Sequence, residues 1–236
     1  MKKLLLIIPA YNEEKNIDRV MKERLLEYQI YDEFDYLIIN DGSKDGTERI
    51  CQQSNYHYIN MPVNVGLAGV FRTGMKYADR YGYEMVLQYD GDGQHNPKYI
   101  SEMVQEMKMK DVDIVIGSRY KSEFRKYTSF RVIGNYFLQK IVYITTRKKI
   151  TDPTSGMRLY GKRMIHLFGN NINMPPEPDT LAYLLRCGYK IEEIEVQMRE
   201  RQAGTSYLDF GNSIRYMIHM FTSMIFIQRF RKGEIE

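Results

Sequence analysis

The sequence predicts an α/β fold in which a mainly parallel sheet carries helices on both of its faces. Short apolar runs alternate with longer amphipathic stretches through about residue 117, and this alternation is typical of β-α-β units. Turns rich in Asp, Asn, Gly and Ser follow several of the apolar runs. Because such sheets bind ligands at the carboxyl ends of their strands, a functional site is expected among these turns.

Each element of this alternation is predicted from its own local pattern. Continuous apolar runs such as Leu4–Ile8 and Tyr36–Ile39 indicate strands that are buried on both faces of the sheet. The predicted strands cover 3–9, 34–40, 55–60, 84–89 and 112–117, and the predicted helices cover 13–28, 46–53, 67–81 and 97–110. No strand is predicted beyond residue 117.

Length and composition exclude several classes of protein. A chain of 236 residues, 43% of them hydrophobic, is long enough for one domain with a sizeable core. Its formal net charge of +4 is too mild to indicate a nucleic-acid-binding protein. Cys51 and Cys187 are too few for a disulfide framework and are predicted to be small core residues in helices. No signal peptide is recognised, so a cytoplasmic location is expected.

The most informative motif is the run Gln88–His95, which begins in the predicted fourth strand. Asp90 and Asp92 lie two residues apart where that strand gives way to a loop. Both carboxylates can therefore reach one hard cation, which would bridge to the phosphates of a substrate. A solvated acidic turn is the plainer alternative. An EF-hand calcium loop fails on spacing, because His95 and Ser101 stand where that loop needs Gly and Glu.

Six further motifs accompany this run in a fixed order. They are Pro9–Glu14, Asn40–Thr47, Asn64–Gly69, Gly117–Tyr120, Asp152–Arg158 and Arg199–Ser206. The whole set resembles the family 2 glycosyltransferases, whose catalytic domain has the GT-A fold. The last three motifs are similar to those of the polyprenyl-phosphate branch, the relatives of dolichyl-phosphate mannosyl- and glucosyltransferases. The resemblance implies a GT-A catalytic domain over 1–208, followed by a C-terminal amphipathic helix within 209–236.

The resemblance also implies a nucleotide-sugar site with a divalent cation. The residues that match the family's nucleotide-binding positions are Pro9, Ala10, Tyr11, Glu13, Asp41, Gly66, Leu67, Arg72 and Asp90. Asp90, Asp92 and Gln94 match its metal-binding positions. Mg²⁺ or Mn²⁺ held there would neutralise charge on the departing diphosphate.

Several of these residues also have a plainer structural interpretation. Glu13 is equally suited to a helix N-terminus, where the dipole favours a negative charge. Asp41 is suited to an Asx-turn. Arg72 is alternatively a surface residue, and His95 is either a turn histidine or a fourth contact to the metal.

On the acceptor side, the resemblance assigns three arginines to phosphate binding. Arg119, Arg131 and Arg201 match family positions near the acceptor phosphate or the diphosphate, and arginine binds phosphate through bidentate hydrogen bonds. Asp152 is predicted to lie near the sugar, and it would act as the base if the acceptor were a hydroxyl group. These four residues and Asp92 form the predicted catalytic set, with surface ion pairs as the alternative for the arginines.

Three other segments contribute predictions. Pro175–Asp179 resembles the family's acidic loop, in which Glu177 contacts sugar hydroxyls or forms part of a rigid turn. Residues 121–149 carry eight basic residues against one acidic residue, and 216–228 carry no Asp, Glu, Lys or Arg. The first pattern predicts a helix that packs on the core or lies on anionic lipid. The second predicts a helix that packs on the core, lies on the membrane surface or docks on a small membrane-protein partner. Residues 216–228 are fewer than the ~20 needed to span a bilayer, so a peripheral attachment is expected.

The sequence therefore favours an inverting enzyme that moves a hexose from a UDP- or GDP-hexose to an undecaprenyl or dolichyl phosphate at the cytoplasmic membrane face. A family 2 transferase with a carbohydrate hydroxyl acceptor, active in cell-surface polysaccharide synthesis, is the second interpretation. A sugar nucleotidyltransferase is less favoured, because Pro9–Glu14 has no glycine-rich basic loop. The intact acidic run argues against a non-catalytic module that recruits a membrane partner.

Overall fold

The computed structural model describes residues 3–22, 34–90, 94–121, 130–172, 174–197, 210–228 and 231, with all their side chains except those of 130, 131 and 210–214. Within these residues, seven strands form one sheet in the order β3-β2-β1-β4-β6-β5-β7. The strands are β1 (Leu4–Ala10), β2 (Asp35–Asn40), β3 (Tyr58–Asn60), β4 (Met85–Gln88), β5 (Ile114–Ser118), β6 (Arg158–Gly161) and β7 (Ile191–Glu195). The five predicted strands are confirmed, with ends that differ by up to three residues.

The sheet is mainly parallel, as predicted. Only β6 runs antiparallel, and it pairs with β4 on one side and β5 on the other. β6 and β7 were absent from the sequence prediction, which is an omission that the structure corrects. Both are short and carry charged residues, Arg158 in β6 and three glutamates in β7, so they lack the continuous apolar run that revealed β1 to β5. Their places are set by pairing with distant strands.

Helices cover both faces of this sheet, which confirms the predicted architecture. The helices are α1 (Ile17–Arg19), α2 (Thr47–Gln53), α3 (Gly66–Arg80), α4 (Tyr99–Lys110), α5 (Phe130–Thr146), α6 (Lys162–Asn170), α7 (Pro178–Arg186) and α8 (Phe210–Thr222). α1, α2 and α4 pack on one face, and α3, α5, α6, α7 and α8 pack on the other. Of the predicted helix over 13–28, residues 17–22 are helical, since α1 continues as a π-helical stretch over 20–22, whereas 13–16 are not helical and 23–28 lie outside the described part.

The C-terminal helix α8 continues as a π-helical turn over Ser223–Ile227 and packs on the main core. Met220 and Met224 are buried in the same cluster as Leu138 and Ile141 of α5. One face of α8 and of the turn that follows it therefore packs against the core. None of the described helices is long and apolar enough to cross a membrane.

The two cysteines have different environments. Cys51 is buried in α2, as predicted, and burial raises the pKa of its thiol to about 11. Cys187 is exposed just after the end of α7, so the prediction that it is a core residue is wrong. A buried, protonated Cys51 is a packing residue.

Candidate active site

The loops that follow β1 and β2 are joined by reciprocal hydrogen bonds. The backbone N–H of Asn12 donates to Ser43 Oγ (2.9 Å), and the backbone N–H of Lys44 donates back to Asn12 Oδ1 (2.9 Å). The backbone N–H of Glu13 donates to Thr47 Oγ1 (2.9 Å). Asn12 has φ 56°, a left-handed conformation that asparagine tolerates better than most residues. These contacts hold the two loops together as one unit.

Asp41 lies at the end of β2 and holds the start of α3. Its carboxylate accepts the backbone N–H groups of Val65 (2.7 Å) and Gly66 (3.0 Å), and the residue is buried. This is the contact by which an acidic side chain satisfies free amides at a helix N-terminus. A carboxylate can accept further hydrogen bonds, so the predicted contact to a nucleobase stays compatible with this arrangement.

The loop after Asp41 approaches the chain ahead of α3 very closely. Gly42 has φ 63°, and a Cβ built on it would lie 2.7 Å from the carbonyl carbon of Val63 and 2.8 Å from the backbone nitrogen of Asn64. The left-handed conformation and the lack of space both require glycine. Gly42 therefore lets Asp41 reach the first amides of α3.

The remaining residues predicted to bind the nucleotide lie around these loops. Pro9 and Ala10 end β1, and Tyr11 and Glu13 follow them with partly exposed side chains. Glu13 also accepts a hydrogen bond from Asn16 Nδ2 (2.7 Å) at the first turn of α1, so its structural interpretation is satisfied. Gly66 and Leu67 begin α3, where Leu67 is exposed.

Arg72, one turn further along α3, has a buried Nε with no hydrogen-bond partner among the described residues. A buried donor without a partner is costly. This observation fits a residue whose partner is an anionic ligand better than it fits a surface residue.

Asp90 lies just beyond β4 and is held by His95. The backbone N–H of Asp90 donates to His95 Nδ1 (3.1 Å), and His95 Nε2 lies 3.4 Å from Asp90 Oδ2. Because Nδ1 accepts a hydrogen bond from this amide, the ring proton is on Nε2, which faces the carboxylate. Tyr89 Oη donates to the backbone oxygen of His95 (2.8 Å), and the imidazole ring of His95 is buried. Both ring nitrogens face Asp90, so His95 acts on the carboxylate rather than as a separate metal contact.

A second segment closes on Asp90 from the other side. A Cβ built on Gly156 would lie 2.7 Å from Asp90 Oδ2. Gly156 belongs to the predicted motif Asp152–Arg158, so the structure brings that motif and the acidic run together. The Asp90 carboxylate lies between His95 and Gly156.

The proposed metal ligands are only partly described. Asp90 and Gln94 lie at the carboxyl end of β4 with partly exposed side chains, whereas Asp92 lies outside the described residues. Within the described part of the chain, no group of three or more His, Cys, Asp or Glu side chains is arranged around a common point. The carboxylate and amide oxygens that are present suit hard cations such as Mg²⁺ and Mn²⁺. The donor chemistry therefore fits a divalent cation.

The end of β5 carries a buried ion pair. Arg119 donates from Nε to Asp152 Oδ2 (2.7 Å) and from Nη2 to Asp152 Oδ1 (2.8 Å), and its backbone N–H also reaches Oδ2 (3.1 Å). The Asp152 side chain is 0% exposed, whereas that of Arg119 is 33% exposed. Burial opposes the charge on Arg119, but the hydrogen bonds and charge of Asp152 outweigh it and raise the pKa of the guanidinium. The negative charge of Asp90 acts in the same direction.

Arg158 is a structural residue of the site whose role was not identified from the sequence. It is buried at the start of β6, and its guanidinium donates to the backbone oxygens of Ser155 (2.8 Å), Pro153 (2.6 Å) and Pro176 (2.9 Å). These bonds hold the loop of residues 152–156 against the acidic loop of residues 175–179. The only available signal was its place in the motif Asp152–Arg158.

Glu177 in the acidic loop is held by the C-terminal helix. Tyr216 Oη of α8 donates to Glu177 Oε2, and Ser223 Oγ donates to Asp179 Oδ2 (2.6 Å). Burial raises the pKa of Glu177 above its ordinary value, while the hydrogen bond from Tyr216 and the charge of Arg158 act in the opposite direction. α8 is therefore joined to this loop by polar contacts as well as by its buried methionines.

Two predicted catalytic arginines cannot be placed. The backbone of Arg131 lies in α5, but its side chain lies outside what the structure describes, as does all of Arg201. Their roles remain predictions. Of the five residues in the predicted catalytic set, the structure brings Arg119 and Asp152 into contact.

Comparison with known proteins identifies the family of this chain. The family described as "Glycosyl transferase family 2" matches residues 5–168, which is most of the chain. The protein therefore belongs to glycosyl transferase family 2 and is a glycosyltransferase with the GT-A fold.

Curated relatives narrow the group to which the chain is similar. It is 32% identical to a UDP-N-acetylglucosamine–dolichyl-phosphate N-acetylglucosaminyltransferase of Methanococcus voltae over 72% of this chain and 74% of that protein. It is 28% identical to the dolichyl-phosphate beta-glucosyltransferase ALG5A of Trichomonas vaginalis, over 97% of this chain and 74% of that protein. The matched regions span 64% to 74% of the first relatives' lengths.

A solved structure shares the fold. Glucosyl-3-phosphoglycerate synthase from Mycobacterium tuberculosis, in complex with Mn²⁺, UDP-glucose and phosphoglyceric acid, aligns with a TM-score of 0.69. The alignment covers 98% of this chain and 81% of that chain at 15% sequence identity. At this identity the likeness establishes the fold alone.

Proposed function

We propose that this protein is an inverting hexosyltransferase that moves a hexose from a UDP- or GDP-hexose to a polyprenyl phosphate at the cytoplasmic face of a membrane. The main support for the proposal is that the Asp152 carboxylate is buried and paired with Arg119. A hydroxyl acceptor would need this residue as its base, yet its carboxylate is fully buried and is bound by Arg119. A general base must reach the proton that it removes, so this arrangement favours an acceptor that needs no base.

A polyprenyl phosphate is such an acceptor. Its second pKa is about 6, so it is largely ionised at neutral pH. One of its oxygens attacks the anomeric carbon, while the bond from that carbon to the nucleoside diphosphate breaks and its electron pair leaves with the diphosphate. A single displacement of this kind inverts the configuration. The protein has to hold two anionic substrates close together, and we assign Arg119 to the acceptor phosphate.

On the donor side, the proposal uses the joined loops of β1 and β2 and the start of α3. Asp41, fixed by two backbone amides, is assigned to the nucleobase, and the unpaired Nε of Arg72 suits a phosphate oxygen. Asp90 and Gln94, with Asp92 as predicted from the sequence, would hold a divalent cation. When bound, that cation supplies positive charge to the departing diphosphate.

Relatives guide the choice of donor. One relative is named for its use of UDP-N-acetylglucosamine, and the solved structure contains UDP-glucose with Mn²⁺. We therefore propose a UDP-sugar as the first donor to test, with GDP-sugars alongside it.

The proposed membrane surface is formed by α5 and α8. Phe137 of α5 and Phe221 of α8 stack with ring centroids 6.0 Å apart, and both are exposed. The two helices and the turn that follows α8 carry further exposed apolar side chains: Ile133, Tyr136, Tyr143, Ile144, Ile218, Phe226 and Ile227. Exposed basic residues accompany them: Lys140, Arg147, Lys148, Lys149 and Arg215.

An exposed apolar patch edged by basic residues is typical of a surface that lies on anionic lipid. It would bring the polyprenyl chain of the acceptor alongside the loop that carries Arg119 and Asp152. Neither the described residues nor the comparisons support a small membrane-protein partner, so we propose that the patch binds lipid directly.

The proposal is tested by sugar transfer to a lipid. Radiolabelled UDP- and GDP-sugars are supplied separately with Mg²⁺ or Mn²⁺ and undecaprenyl phosphate, and label is measured in the organic extract. We expect one donor to label the lipid. The Asp92→Ala variant should lose this activity, whereas Asp79→Ala, at an exposed position in α3, should retain it.

Two results would contradict the proposal. Label that enters a water-soluble carbohydrate and never the lipid would favour the hydroxyl acceptor. Full activity in Asp92→Ala would show that donor binding does not depend on a metal held by Asp92. Binding to vesicles that contain anionic lipid, lost when Ile144 and Phe226 are both changed to Asp, separately tests the membrane surface.

A further inference from the structure

Glu193 is a buried carboxylate on a strand whose other glutamates are accessible. It lies in β7 and is 8% exposed, whereas the Glu192 side chain is 40% exposed and pairs with Lys110 (3.1 Å). Removing a carboxylate from water is costly unless it gains hydrogen bonds. Its presence in the protein interior therefore needs a structural or functional cause.

The Glu193 carboxylate binds one short stretch of backbone. Its two oxygens lie 2.9 and 2.8 Å from the backbone nitrogen of Thr151, and Oε1 lies 2.9 Å from the backbone nitrogen of Asp152. The Thr151 hydroxyl also donates to Oε2 (2.8 Å). Burial raises the pKa of Glu193, and the donors on Thr151 and Asp152 act against that rise. All of these contacts hold the backbone immediately before the Asp152 side chain.

The same peptide is also held from α5. Asn135 Nδ2 (3.1 Å) and Gln139 Nε2 (2.5 Å) both donate to the backbone oxygen of Thr151. The peptide that joins Thr151 to Asp152 is therefore fixed on its N–H side by Glu193 and on its carbonyl side by α5. A peptide held from both sides has little freedom to rotate.

The Asp152 side chain passes this constraint on to Arg119. Two guanidinium nitrogens and the backbone N–H of Arg119 bind the Asp152 carboxylate, so the direction of the guanidinium depends on the place of that carboxylate. Glu193 and Arg119, both of which the structure describes, share no hydrogen bond or ion pair. Any effect of Glu193 on a phosphate held by Arg119 would have to act through the Thr151–Asp152 backbone.

We propose that Glu193 is a positioning residue for the acceptor: it fixes the Thr151–Asp152 backbone so that Asp152 aims Arg119 at the acceptor phosphate. The inference rests on the proposed function, because it assigns Arg119 to that phosphate. It assigns a role in acceptor binding to a residue that is proposed to touch neither substrate. It also gives a role to β7, a strand that was not predicted from the sequence. The role depends on hydrogen-bond geometry more than on charge, since a glutamine of the same shape can keep the acceptor oxygen for both amides.

The test measures acceptor and donor binding separately in the full chain. Farnesyl phosphate serves as a short acceptor, and the donor is the UDP- or GDP-sugar that labels the lipid. Glu193→Ala should raise the KM for farnesyl phosphate about tenfold, as expected when a charge-assisted hydrogen bond is misplaced. The KM for the donor and its metal-dependent binding should change less than about twofold, within the scatter of unrelated substitutions. Glu193→Gln should restore most of the acceptor affinity.

Matched variants separate positioning from general destabilisation. Ile194→Ala removes a buried side chain from the other face of the same strand, so it should lower stability without changing the acceptor KM. Thr151→Val removes the hydroxyl contacts to Glu193 and Ser118 and leaves both backbone amides bound to Glu193. It should give a milder form of the same defect, which can be measured if Glu193→Ala does not fold.

Three results would overturn the inference. One is an unchanged acceptor KM in Glu193→Ala and Thr151→Val. Another is an equal rise of donor and acceptor KM that Ile194→Ala reproduces. The third is a Glu193→Gln variant as impaired as Glu193→Ala, because charge and not geometry would then matter. A wild-type protein that transfers sugar to no phosphate lipid and does not bind farnesyl phosphate would instead overturn the proposed function on which the inference rests.

Discussion

The two halves of the carboxyl edge of the sheet are held together by different interactions. The nucleotide half, formed by β1, β2, β4, the start of α3 and their loops, relies mainly on hydrogen bonds that backbone amides donate, such as those to Ser43, Asn12 and the Asp41 carboxylate. The acceptor half, formed by β5 to β7, the loops 151–157 and 174–179, and α8, relies on charged groups that are largely buried. Arg119, Asp152 and Arg158 are examples.

The difference has an energetic consequence. Losing one neutral hydrogen bond costs about 0.5–1.5 kcal/mol. Removing one partner of a buried charged pair costs about 3–5 kcal/mol, because the other charge is left without compensation. The nucleotide half should therefore tolerate single substitutions that the acceptor half does not. The Arg119–Asp152 pair joins residues that are 33 positions apart, so the acceptor half depends on a contact between distant segments.

The largest expected effect is on stability in the acceptor half. Asp152→Ala should lower the free energy of unfolding by about 3 kcal/mol, at the lower end of the range for a broken buried pair, because a third of the Arg119 side chain is exposed. Ser43→Ala, in the nucleotide half, should cost about 1 kcal/mol. Urea unfolding measured by circular dichroism gives both values.

A double variant sharpens this result. Arg119→Met combined with Asp152→Leu removes both charges, so it should regain much of the stability lost in Asp152→Ala. Equal losses in Asp152→Ala and Ser43→Ala would show that the two halves do not differ in the way described here.

The same contrast explains how much could be predicted from the sequence. In the nucleotide half, Asp41 and Asp90 directly follow apolar strands, so both the strands and their ends could be predicted from local pattern. The proposed site residues there lie at the expected edge of the sheet. In the acceptor half, Arg158 opens β6 and Glu193 lies within β7, and charged residues in short segments gave no strand signal.

Partnerships were harder to predict than positions. Arg119 and Asp152 are 33 residues apart in the chain, and Asp152 and Glu193 are 41 apart. Each was recognisable alone, but nothing local indicates that one binds the other. The resemblance to a family located Arg119 and Asp152, whereas Glu193 had no motif and was found only through its contacts. His95 shows the same limit, because its sequence position indicated a turn and not a contact to Asp90.

An intermediate effect is expected where the two halves meet. Gly156→Ala would place a Cβ 2.7 Å from Asp90 Oδ2. The Asp90 carboxylate is partly exposed and can move away, so the fold should survive while the proposed metal ligand is displaced. A displacement of about 1 Å can cost up to about a hundredfold in rate, and we expect a loss of tenfold or more in sugar transfer, measured as kcat/KM.

Gly161→Ala is the matched control for this prediction. A Cβ there meets only ordinary contacts, the nearest at 3.5 Å from the backbone oxygen of Asp113. It should leave transfer unchanged. A fully active Gly156→Ala would show that the position of the Asp90 carboxylate is not critical, and the two halves would then be independent of each other.

The smallest expected effect concerns the contact between α8 and the acidic loop, and it depends on pH. Tyr216 Oη donates to Glu177, and a hydrogen bond to a carboxylate stabilises the ionised form. Burial already raises the pKa of Glu177 above its ordinary value of 4.5, and removing this donor raises it further. A carboxyl group whose folded-state pKa is raised contributes stability that is complete below its unfolded value and is lost as pH rises through the folded value. The Tyr216→Phe variant should lose more of this stability as pH rises, because its Glu177 has the higher folded-state pKa.

The stability difference between wild type and Tyr216→Phe should therefore grow as pH rises through the folded-state pKa of Glu177 in wild type, and it should level off above the higher pKa that Glu177 has in the variant. We expect about 1.5 kcal/mol at pH 8, the lower value for a hydrogen bond to a charged group, and less at pH 5. Burial and the charge of Glu177 also raise the pKa of Tyr216 itself, so its hydroxyl stays protonated throughout. Urea unfolding at both pH values measures the difference, with Tyr143→Phe as an exposed control on α5. A difference that is independent of pH, or larger at pH 5, would mean that Glu177 is not ionised against Tyr216, and the acceptor half would then depend less on buried charge than its other contacts indicate.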